Sequence, residues 1–399
     1  MKGEGDNASI FWLYGGAGAG KSAVAQSLSE KFHQKELAAS FFFFGSDPTR
    51  NNGDHLIPTL VSQLARNLKG LVPLVEERIS EDWDIFAKGY NIQIQELLVD
   101  PLRSLKSTED LAFPPRLLVI DGLDECTNPN VQCLLLRAIA GALLRIPYPL
   151  RFLITSRPEA HITHVFNHDP ALQTIPVQRY NLSDDPDADM DIRNFLEKEF
   201  GDIRKVHRLG KHLPHTWPDP QAISSLVERS SGHFIFASTV VRYIQSPKHR
   251  PDDRLEVILR LRSPQEGDKP YAPLDALYGL IFEGVESRVQ IEKICLVLGI
   301  LYFRSKRVGL FHTPCDSNMI EKLLGMKVGD LVLLLDPILS LVAIEDIEIR
   351  IYHKTLYDYL LDSDRGGHLP FDLCRVHGVA ANYILSEKIA KAACSELLF

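Results

Sequence analysis

The sequence has few cysteines and no long apolar run, and each shortage excludes a class of protein. Six cysteines occur in 399 residues, and the spacing of Cys126 and Cys133 fits neither a C-x-x-C redox pair nor a zinc knuckle. We therefore expect free thiols in a reducing compartment. Of the longest apolar stretches, 294–303 is too short to span a bilayer and 331–344 is interrupted by Asp336–Pro337, so no membrane partner is predicted.

Basic residues are also fewer than acidic residues. Lys and Arg total 44 against 52 Asp and Glu, which gives a net charge of −8. Because contacts to nucleic-acid phosphates need a basic face, the sequence predicts no nucleic-acid partner. Apolar residues make up 45% and charged residues 24%, the proportions of a folded chain. The chain opens with the polar stretch MKGEGDN, which is not a secretory signal, and we expect an intracellular protein.

The first 180 residues alternate short apolar runs with amphipathic stretches, which is typical of β-α units around a parallel sheet. Apolar runs predict strands at Ile10–Tyr14, Ala39–Phe44, Leu117–Ile120, Arg151–Thr155 and Leu172–Val177. Helical spacing lies between them at 22–33, 54–68, 91–105 and 130–144. The predicted fold class is therefore α/β, with a parallel sheet that carries helices on both faces.

After residue 180 the pattern changes to helices. The segment 181–190 is acidic and turn-rich, which marks a boundary. Apolar alternation at 341–344 and 347–352, with a turn at Glu345–Asp346, predicts a small hairpin. Helices followed by a hairpin predict a winged-helix-like domain. The predicted domains are 1–180 (the α/β domain), 181–274 (helical), 275–365 (winged-helix-like) and 366–399 (C-terminal helical segment).

The clearest motif is GGAGAGKS at 15–22, which lies between an apolar strand and an amphipathic helix. It fits the P-loop pattern G-x-x-x-x-G-K-S. Small residues let backbone N–H groups turn toward a β-phosphate, and the following helix directs its positive end at the same oxygens. Lys21 is expected to reach the β- and γ-phosphates, and the Ser22 hydroxyl to ligate Mg²⁺. The expected nucleotide-binding residues are Gly15, Gly16, Ala17, Gly18, Ala19, Gly20, Lys21 and Ser22. A glycine-rich turn with a chance lysine is the alternative.

A second motif, RLLVIDGLDE at 116–125, supplies carboxylates. Its apolar strand delivers Asp121 to the sheet edge, where a Mg²⁺–phosphate site needs an acidic ligand. Asp124 and Glu125 follow, where a carboxylate could polarise a water that attacks the γ-phosphate. A neighbouring strand is followed by Arg157, which could neutralise charge on that phosphate. Solvated acids after a strand, and an arginine in a surface salt bridge, are the alternatives.

Five segments resemble the NACHT modules of large fungal proteins, which are also described as nephrocystin-3-like N-terminal domains. They are WLYGGAGAGKSAVAQSL, FFFFGSDPTRNN with HLIPTLVSQLA, LLVIDGLDEC and RFLITSRPE. The resemblance runs from about residue 9 to 180, continues more loosely through 231–244 and ends at 351–362. It implies a cytoplasmic signal-transduction NTPase of the STAND class, with a P-loop domain, a helical domain and a winged helix.

The resemblance also implies a switch that ATP and ADP control. ADP would hold a closed state, exchange for ATP would allow a homo-oligomer to form, and slow Mg²⁺-dependent hydrolysis would reset the switch. It implies that His353 contacts the β-phosphate of ADP; packing at a strand–helix junction is the alternative. Family members carry an N-terminal effector and a C-terminal repeat sensor. Both are expected to be absent from this chain, which would then be a switch module.

Two other functions stay open. The first is a conventional enzyme, either a GTPase or a small-molecule kinase. A GTPase normally needs an N-K-x-D motif to read guanine, and this motif does not occur. A kinase needs a lid that holds its substrate, and nothing in 45–115 resembles one. The other possibility is a non-hydrolysing NACHT scaffold or truncated pseudo-NTPase. The P-loop and Asp121 predict nucleotide binding, but they do not establish turnover.

Overall fold

The chain divides into two compact units, Met1–Asp185 and Pro186–Phe399. The computed structural model describes residues 8–33, 36–45, 47, 49–105, 116–261, 271–305, 317–345, 348–379 and 381–382. The predicted domain limits at 180, 274 and 365 stay predictions. In the predicted C-terminal helical segment 366–399, residue 380 and residues 383–399 lie outside the described residues. Within the described part of the chain, no helix combines the length and apolar character that crossing a membrane requires.

A five-stranded sheet forms the centre of the first unit, and all of its strand pairs are parallel. Along the sheet the strands lie in the order β2-β3-β4-β1-β5. Parallel neighbours must be joined by crossovers, and the strands therefore finish at one common edge. The strands are β1 Ile10–Tyr14, β2 Leu37–Phe42, β3 Leu117–Asp121, β4 Arg151–Ser156 and β5 Val177–Asn181.

Helices cover both faces of this sheet. Leu13, Val119 and Leu153 pack with α1 on one face, whereas the alternate positions Trp12 and Leu118 join a larger core on the other face. This alternation is the period of two expected along a strand. The helices are α1 Lys21–Phe32, α2 Leu56–Asn67, α3 Leu71–Glu81, α4 Tyr90–Ile94, α5 Asp100–Ser104, α6 Pro129–Leu143, α7 Ala160–His168 and α8 Pro170–Thr174. The predicted α/β class with helices on both faces is confirmed.

One predicted strand, Leu172–Val177, is wrong over most of its length. Leu172 lies in α8, and β5 begins only at Val177. Asp169 accepts a hydrogen bond from the Ala171 N–H, and Pro170 occupies the first helical position. A capping residue followed by proline favours a helix start, and here it outweighs the apolar composition of the segment.

The run of four phenylalanines also differs from its prediction. β2 covers Leu37–Phe42 and ends before the last two of them. Phe43 packs edge-on against Phe41, with ring centroids 4.8 Å apart. The Phe44 N–H donates to the Arg50 carbonyl, 3.0 Å away, which starts a turn at the sheet edge.

The second unit is helical and carries one two-stranded sheet. Its strands, β6 Val342–Glu345 and β7 Glu348–Ile351, pair antiparallel. The strands of the predicted hairpin are therefore confirmed, while Asp346 in its turn lies outside the described residues. One hydrophobic core extends from Ile192 to Val376. The helices are α9 Ala188–Val206, α10 Pro220–Ser230, α11 Phe234–Ile244, α12 Pro251–Leu259, α13 Ala272–Glu283, α14 Arg288–Ser305, α15 Ser317–Leu323, α16 Asp330–Leu335 and α17 Thr355–Leu361.

Candidate nucleotide site

The loop between β1 and α1 has the backbone of a phosphate-binding loop. Gly18 and Gly20 have φ values of 78° and 98°, in the left-handed region that side chains disfavour. Because α1 begins at Lys21, its first N–H groups have no partner within the helix and are available to an anion. Gly18 and Gly20 therefore lie where the left-handed backbone conformation favours glycine.

Lys21 folds back over the start of this loop. Its Nζ donates to the carbonyls of Gly15 at 2.9 Å and Gly16 at 2.8 Å. Burial lowers the pKa of Lys21, while the nearby Asp124 carboxylate acts in the opposite direction. The ammonium group thus lies between the glycine carbonyls and the acidic residues that follow β3.

Asp121 ends β3 and is 3% exposed. Its carboxylate accepts a hydrogen bond from Thr155 Oγ1 at 2.5 Å. Burial raises the pKa of Asp121, while the nearby side chains of Thr155 and Ser22 oppose that rise. The structure therefore brings together Ser22 and Asp121, the two residues predicted as Mg²⁺ ligands.

Thr155 is a residue of this site to which the sequence analysis gave no role. It is fully buried, and its Oγ1 also accepts from the Gly122 N–H at 2.9 Å. Ile120 and Ile154 are partners in the parallel pairing of β3 and β4, so Asp121 and Thr155 lie side by side one position later. Strand register is the signal that could have identified this threonine.

Asp124 and Glu125 have partners on different sides of β3. Asp124 accepts from the Arg157 N–H at 3.0 Å, and its carboxylate lies 3.4 Å from Arg157 Nε. Glu125 instead accepts from the Gly45 N–H at 2.6 Å, just beyond β2. Since β4 lies between β3 and β1 whereas β2 lies at the far edge, Asp124 and Arg157 are on the P-loop side. The charge of Glu125 still acts on Lys21 in the P-loop.

Gln132 on α6 holds the turn that carries Asp124. Its Nε2 donates to the Cys126 carbonyl at 2.6 Å and reaches the Asp124 carbonyl at 3.4 Å. Its Oε1 lies 2.6 Å from His161 Nε2. Because the amide nitrogen is committed to carbonyl oxygens, the amide oxygen accepts and the imidazole Nε2 carries the proton. A lone glutamine in an amphipathic helix gives no sequence signal for this clamp.

Ser183 is a second residue that the sequence analysis missed. Its Oγ accepts from the Gly16 N–H at 2.8 Å, and a Cβ on Gly15 would lie 2.9 Å from the same oxygen. The Ser183 N–H donates to Asn181 Oδ1 at 3.2 Å, at the end of β5. Since β5 pairs with β1, this turn is anchored beside the P-loop. The acidic composition of 181–190 predicted a boundary there and no functional residue.

His353, the remaining candidate residue, lies in the second unit between β7 and α17. Its Nδ1 accepts from the Thr355 N–H at 3.2 Å and lies 2.9 Å from Thr355 Oγ1. These contacts all belong to that unit. The predicted contact of His353 with ADP stays a prediction.

The fold and the site define a P-loop NTPase domain: a glycine loop after β1, a buried aspartate at the end of β3 and a parallel sheet with β4 between them. Residues 1–157 match the family model described as Nephrocystin 3, N-terminal. The match includes the P-loop, Asp121 and Arg157. No curated protein matches the chain.

The chain is similar to several solved structures, of which three follow. Drosophila ORC bound to DNA is 12% identical, with a TM-score of 0.36 and 93% of each chain covered. The Aeropyrum pernix ORC1 protein in complex with DNA is 16% identical, with a TM-score of 0.35, covering 87% of this chain and 84% of that chain. Cdc6p from Pyrobaculum aerophilum is 14% identical, with a TM-score of 0.30 and coverages of 90% and 87%.

The DNA in two of these structures contradicts the prediction that excluded nucleic acid as a partner. That prediction rested on the net charge of −8. Net charge is a sum over the whole chain and does not describe the charge of any one face. The exclusion is therefore withdrawn, and the DNA remains a property of those two complexes.

Proposed function

We propose that this chain is an ATP- and ADP-binding molecular switch of the NACHT type, in which slow Mg²⁺-dependent hydrolysis controls self-association in cytoplasmic signalling. The observation that carries the proposal is the nearness of Ser22 to the buried Asp121 carboxylate, whose pKa the Ser22 side chain lowers. It brings the residue that follows the P-loop lysine to the carboxylate that ends β3, which is the pairing that a metal–phosphate site requires.

The oxygen donors of this pair fit Mg²⁺. The ion prefers oxygen ligands and is usually held by one or two carboxylates together with the phosphates of a substrate. Among the residues that the structure describes, no group of three or more His, Cys, Asp or Glu could hold a metal by itself. Ser22 and Asp121 would therefore hold the ion together with a nucleotide, where it neutralises charge on the β- and γ-phosphates.

The P-loop and its surroundings would bind the phosphates. The Lys21 ammonium, now hydrogen-bonded to the Gly15 and Gly16 carbonyls, would turn to the more strongly accepting phosphate oxygens. Arg157, beside Asp124 at 3.4 Å, would share its guanidinium between that carboxylate and the γ-phosphate.

We assign the water-polarising role to Asp124 rather than Glu125. The side chain of Asp124 is 4% exposed and faces Arg157 on the P-loop side of β3. There it would accept a proton from the attacking water. Its ion pair with Arg157 must loosen first, and this accounts for slow turnover.

A non-hydrolysing scaffold is the second candidate, and one observation favours it. Both candidate carboxylates are already engaged, Asp124 by Arg157 and Glu125 by the Gly45 N–H. If neither carboxylate exchanges its partner for water, nucleotide binding proceeds without hydrolysis.

Single-turnover hydrolysis of ATP with Mg²⁺ distinguishes the hydrolysing switch from the non-hydrolysing scaffold. Asp124→Asn is expected to slow hydrolysis by about 10²- to 10⁴-fold, the usual contribution of a general base. Glu125→Gln is the matched control, because a glutamine oxygen still accepts from the Gly45 N–H, and it should change the rate only slightly. A loss confined to Glu125→Gln would contradict our assignment. A wild-type protein that binds ATP without cleaving it would favour the scaffold.

A further inference from the structure

A side-chain bridge joins the two segments that follow β3 and β4. Gln132 Oε1 on α6 lies 2.6 Å from His161 Nε2 on α7, although the two residues are 29 positions apart in the chain. Gln132 is 3% exposed, and His161 is half-buried. Neither side chain belongs to the set that would hold the nucleotide, so nucleotide binding alone does not explain the bridge.

On the β3 side, the bridge continues to the turn that carries Asp124. Gln132 Nε2 donates to the Cys126 carbonyl at 2.6 Å and reaches the Asp124 carbonyl at 3.4 Å. The same turn is closed by the Glu125 N–H, which donates to the Gly122 carbonyl at 2.7 Å. The path of the backbone at Asp124 therefore depends on Gln132 as well as on the turn itself.

On the β4 side, the bridge ends shortly after Arg157. His161 lies in the first turn of α7, four positions after Arg157. The Arg157 N–H donates to Asp124 Oδ1 at 3.0 Å, and Arg157 Nε lies 3.4 Å from Oδ2 of the same carboxylate. The two segments are therefore joined at two points, Asp124 with Arg157 and Gln132 with His161. One contact fixes a separation, whereas two contacts also restrain rotation of the turn.

His161 determines which way the Gln132 amide faces. The amide nitrogen is committed to carbonyl oxygens, so Gln132 Oε1 accepts and His161 Nε2 donates. Without that donor, the buried Gln132 oxygen would lose its hydrogen bond, and the amide would be freer to rotate away from the turn. The contact of Gln132 with the Asp124 turn thus depends on an N–H group at His161.

The bridge matters most when the ion pair between Asp124 and Arg157 opens. For Asp124 to accept a proton from water, Arg157 must turn its guanidinium toward the γ-phosphate. The ion pair then weakens, while the contact between Gln132 and His161 still joins the two segments. Because a general base must stay within hydrogen-bond reach of the water, a turn that rotates freely would lose catalytic power.

We infer that His161 is a positioning residue for hydrolysis, which acts through Gln132 to hold the turn that carries Asp124 toward the attacking water. This role rests on the proposed function, in which Asp124 polarises that water. Within the described residues, the Gln132 and His161 side chains hydrogen-bond to each other and to the turn, and not to the P-loop. Loss of the bridge should therefore slow hydrolysis and leave ATP affinity unchanged.

Single-turnover hydrolysis of ATP with Mg²⁺, measured on the full chain together with ATP affinity, tests the inference. His161→Leu removes the donor and is expected to slow hydrolysis roughly 2- to 10-fold, the effect of one neutral hydrogen bond, with an unchanged ATP dissociation constant. His161→Gln keeps an N–H donor on Nε2 and should restore most of the rate. An equal loss of rate in His161→Leu and His161→Gln would overturn the inference.

His164→Leu is the matched control. His164 is an exposed histidine on the same helix, and its ring stacks on His168 with centroids 4.5 Å apart. This variant should change neither the rate nor the affinity. A rate that His161→Leu and His164→Leu lower equally would overturn the inference, as would an ATP affinity that falls as far as the rate in His161→Leu.

Two further outcomes separate this inference from the proposed function. If the wild type hydrolyses ATP and His161→Leu does so at the same rate, the role of His161 fails and the proposed function stands. If the wild type binds ATP without hydrolysing it, the hydrolytic part of the proposed function fails, and the role of His161 in hydrolysis fails with it.

A double-mutant cycle in urea tests the bridge without nucleotide. The unfolding equilibrium constants are compared for Gln132→Leu, His161→Leu and the variant that carries both changes. Side chains in direct contact should give a combined effect that departs from the product of the single effects by about 2-fold or more. Single effects that multiply without such a departure would overturn the bridge whether or not the chain hydrolyses ATP.

Discussion

Thr155 Oγ1 donates a 2.5 Å hydrogen bond to the Asp121 carboxylate, although the two residues are 34 positions apart in the chain. The same oxygen accepts from the Gly122 N–H, so one side chain fixes both the carboxylate and the backbone that follows it. A buried carboxylate is costly unless hydrogen bonds compensate for lost water. Thr155 supplies that compensation and holds Asp121 at the sheet edge.

Replacing Thr155 with valine should weaken the response to Mg²⁺. Valine keeps the shape but loses the hydrogen bond to Asp121, and loss of a group that orients a metal ligand typically costs about 10- to 100-fold in metal affinity. The measurement is a Mg²⁺ titration of ATP affinity. Ser156→Ala is the control, because this buried neighbour accepts from Trp12 Nε1 at 2.9 Å. The same Mg²⁺ requirement in Thr155→Val and wild type would contradict the role.

Ser183→Ala should weaken nucleotide binding through the P-loop backbone. The variant removes the acceptor of the Gly16 N–H, so the first turn of the loop becomes less ordered. A single neutral hydrogen bond predicts a loss of about 2- to 10-fold in ATP affinity, measurable by calorimetry. Ser27→Ala on the exposed side of α1 should have no effect. If the two serine variants bind ATP alike, Ser183 does not support the loop.

Gln132→Leu should destabilise the chain. The leucine keeps the side-chain volume but leaves the Cys126 carbonyl without its 2.6 Å donor. An unsatisfied buried carbonyl typically costs about 1–3 kcal/mol in the free energy of unfolding. Urea denaturation measures this loss, and Gln178→Leu on the exposed part of β5 is the comparison. Equal unfolding midpoints for these two variants would contradict the stabilising role of the Gln132 hydrogen bond.

His353→Ala should speed the release of ADP and promote self-association. A hydrogen bond to a charged group contributes about 1.5–3 kcal/mol, which corresponds to roughly 10- to 150-fold in the dissociation rate. Stopped-flow release of labelled ADP and light scattering provide the two readouts. His215→Ala, at an exposed position, is the control. An ADP dissociation rate that does not change on removal of His353 would exclude its role in retaining the nucleotide.

Local patterns predicted the parts of the site that depend on local geometry. The glycines at 18 and 20 stand where the backbone is left-handed, and the apolar run that ends in Asp121 is a central strand. Spacing along the chain contains both signals, so no tertiary knowledge was needed.

The residues that the sequence could not indicate act through pairing between distant segments. Thr155 meets Asp121 because β3 and β4 are in register, and Ser183 meets Gly16 because β5 lies beside β1. Single serines and threonines occur throughout the chain, so their types alone do not distinguish these two. Asp124 and Glu125 bind different partners for the same reason. Arg157 follows β4 and Gly45 follows β2, and these two strands lie on opposite sides of β3.

Identification of the nucleotide carried by the purified protein tests the central proposal most directly. The wild-type chain and Lys21→Ala are purified without added nucleotide, denatured, and their released contents separated by chromatography. We expect stoichiometric ADP from the wild type and none from Lys21→Ala, with the same circular dichroism spectrum for both. A wild-type protein that carries no nucleotide and takes up no added ATP with Mg²⁺, or a variant that retains ADP as well as the wild type does, would contradict the account.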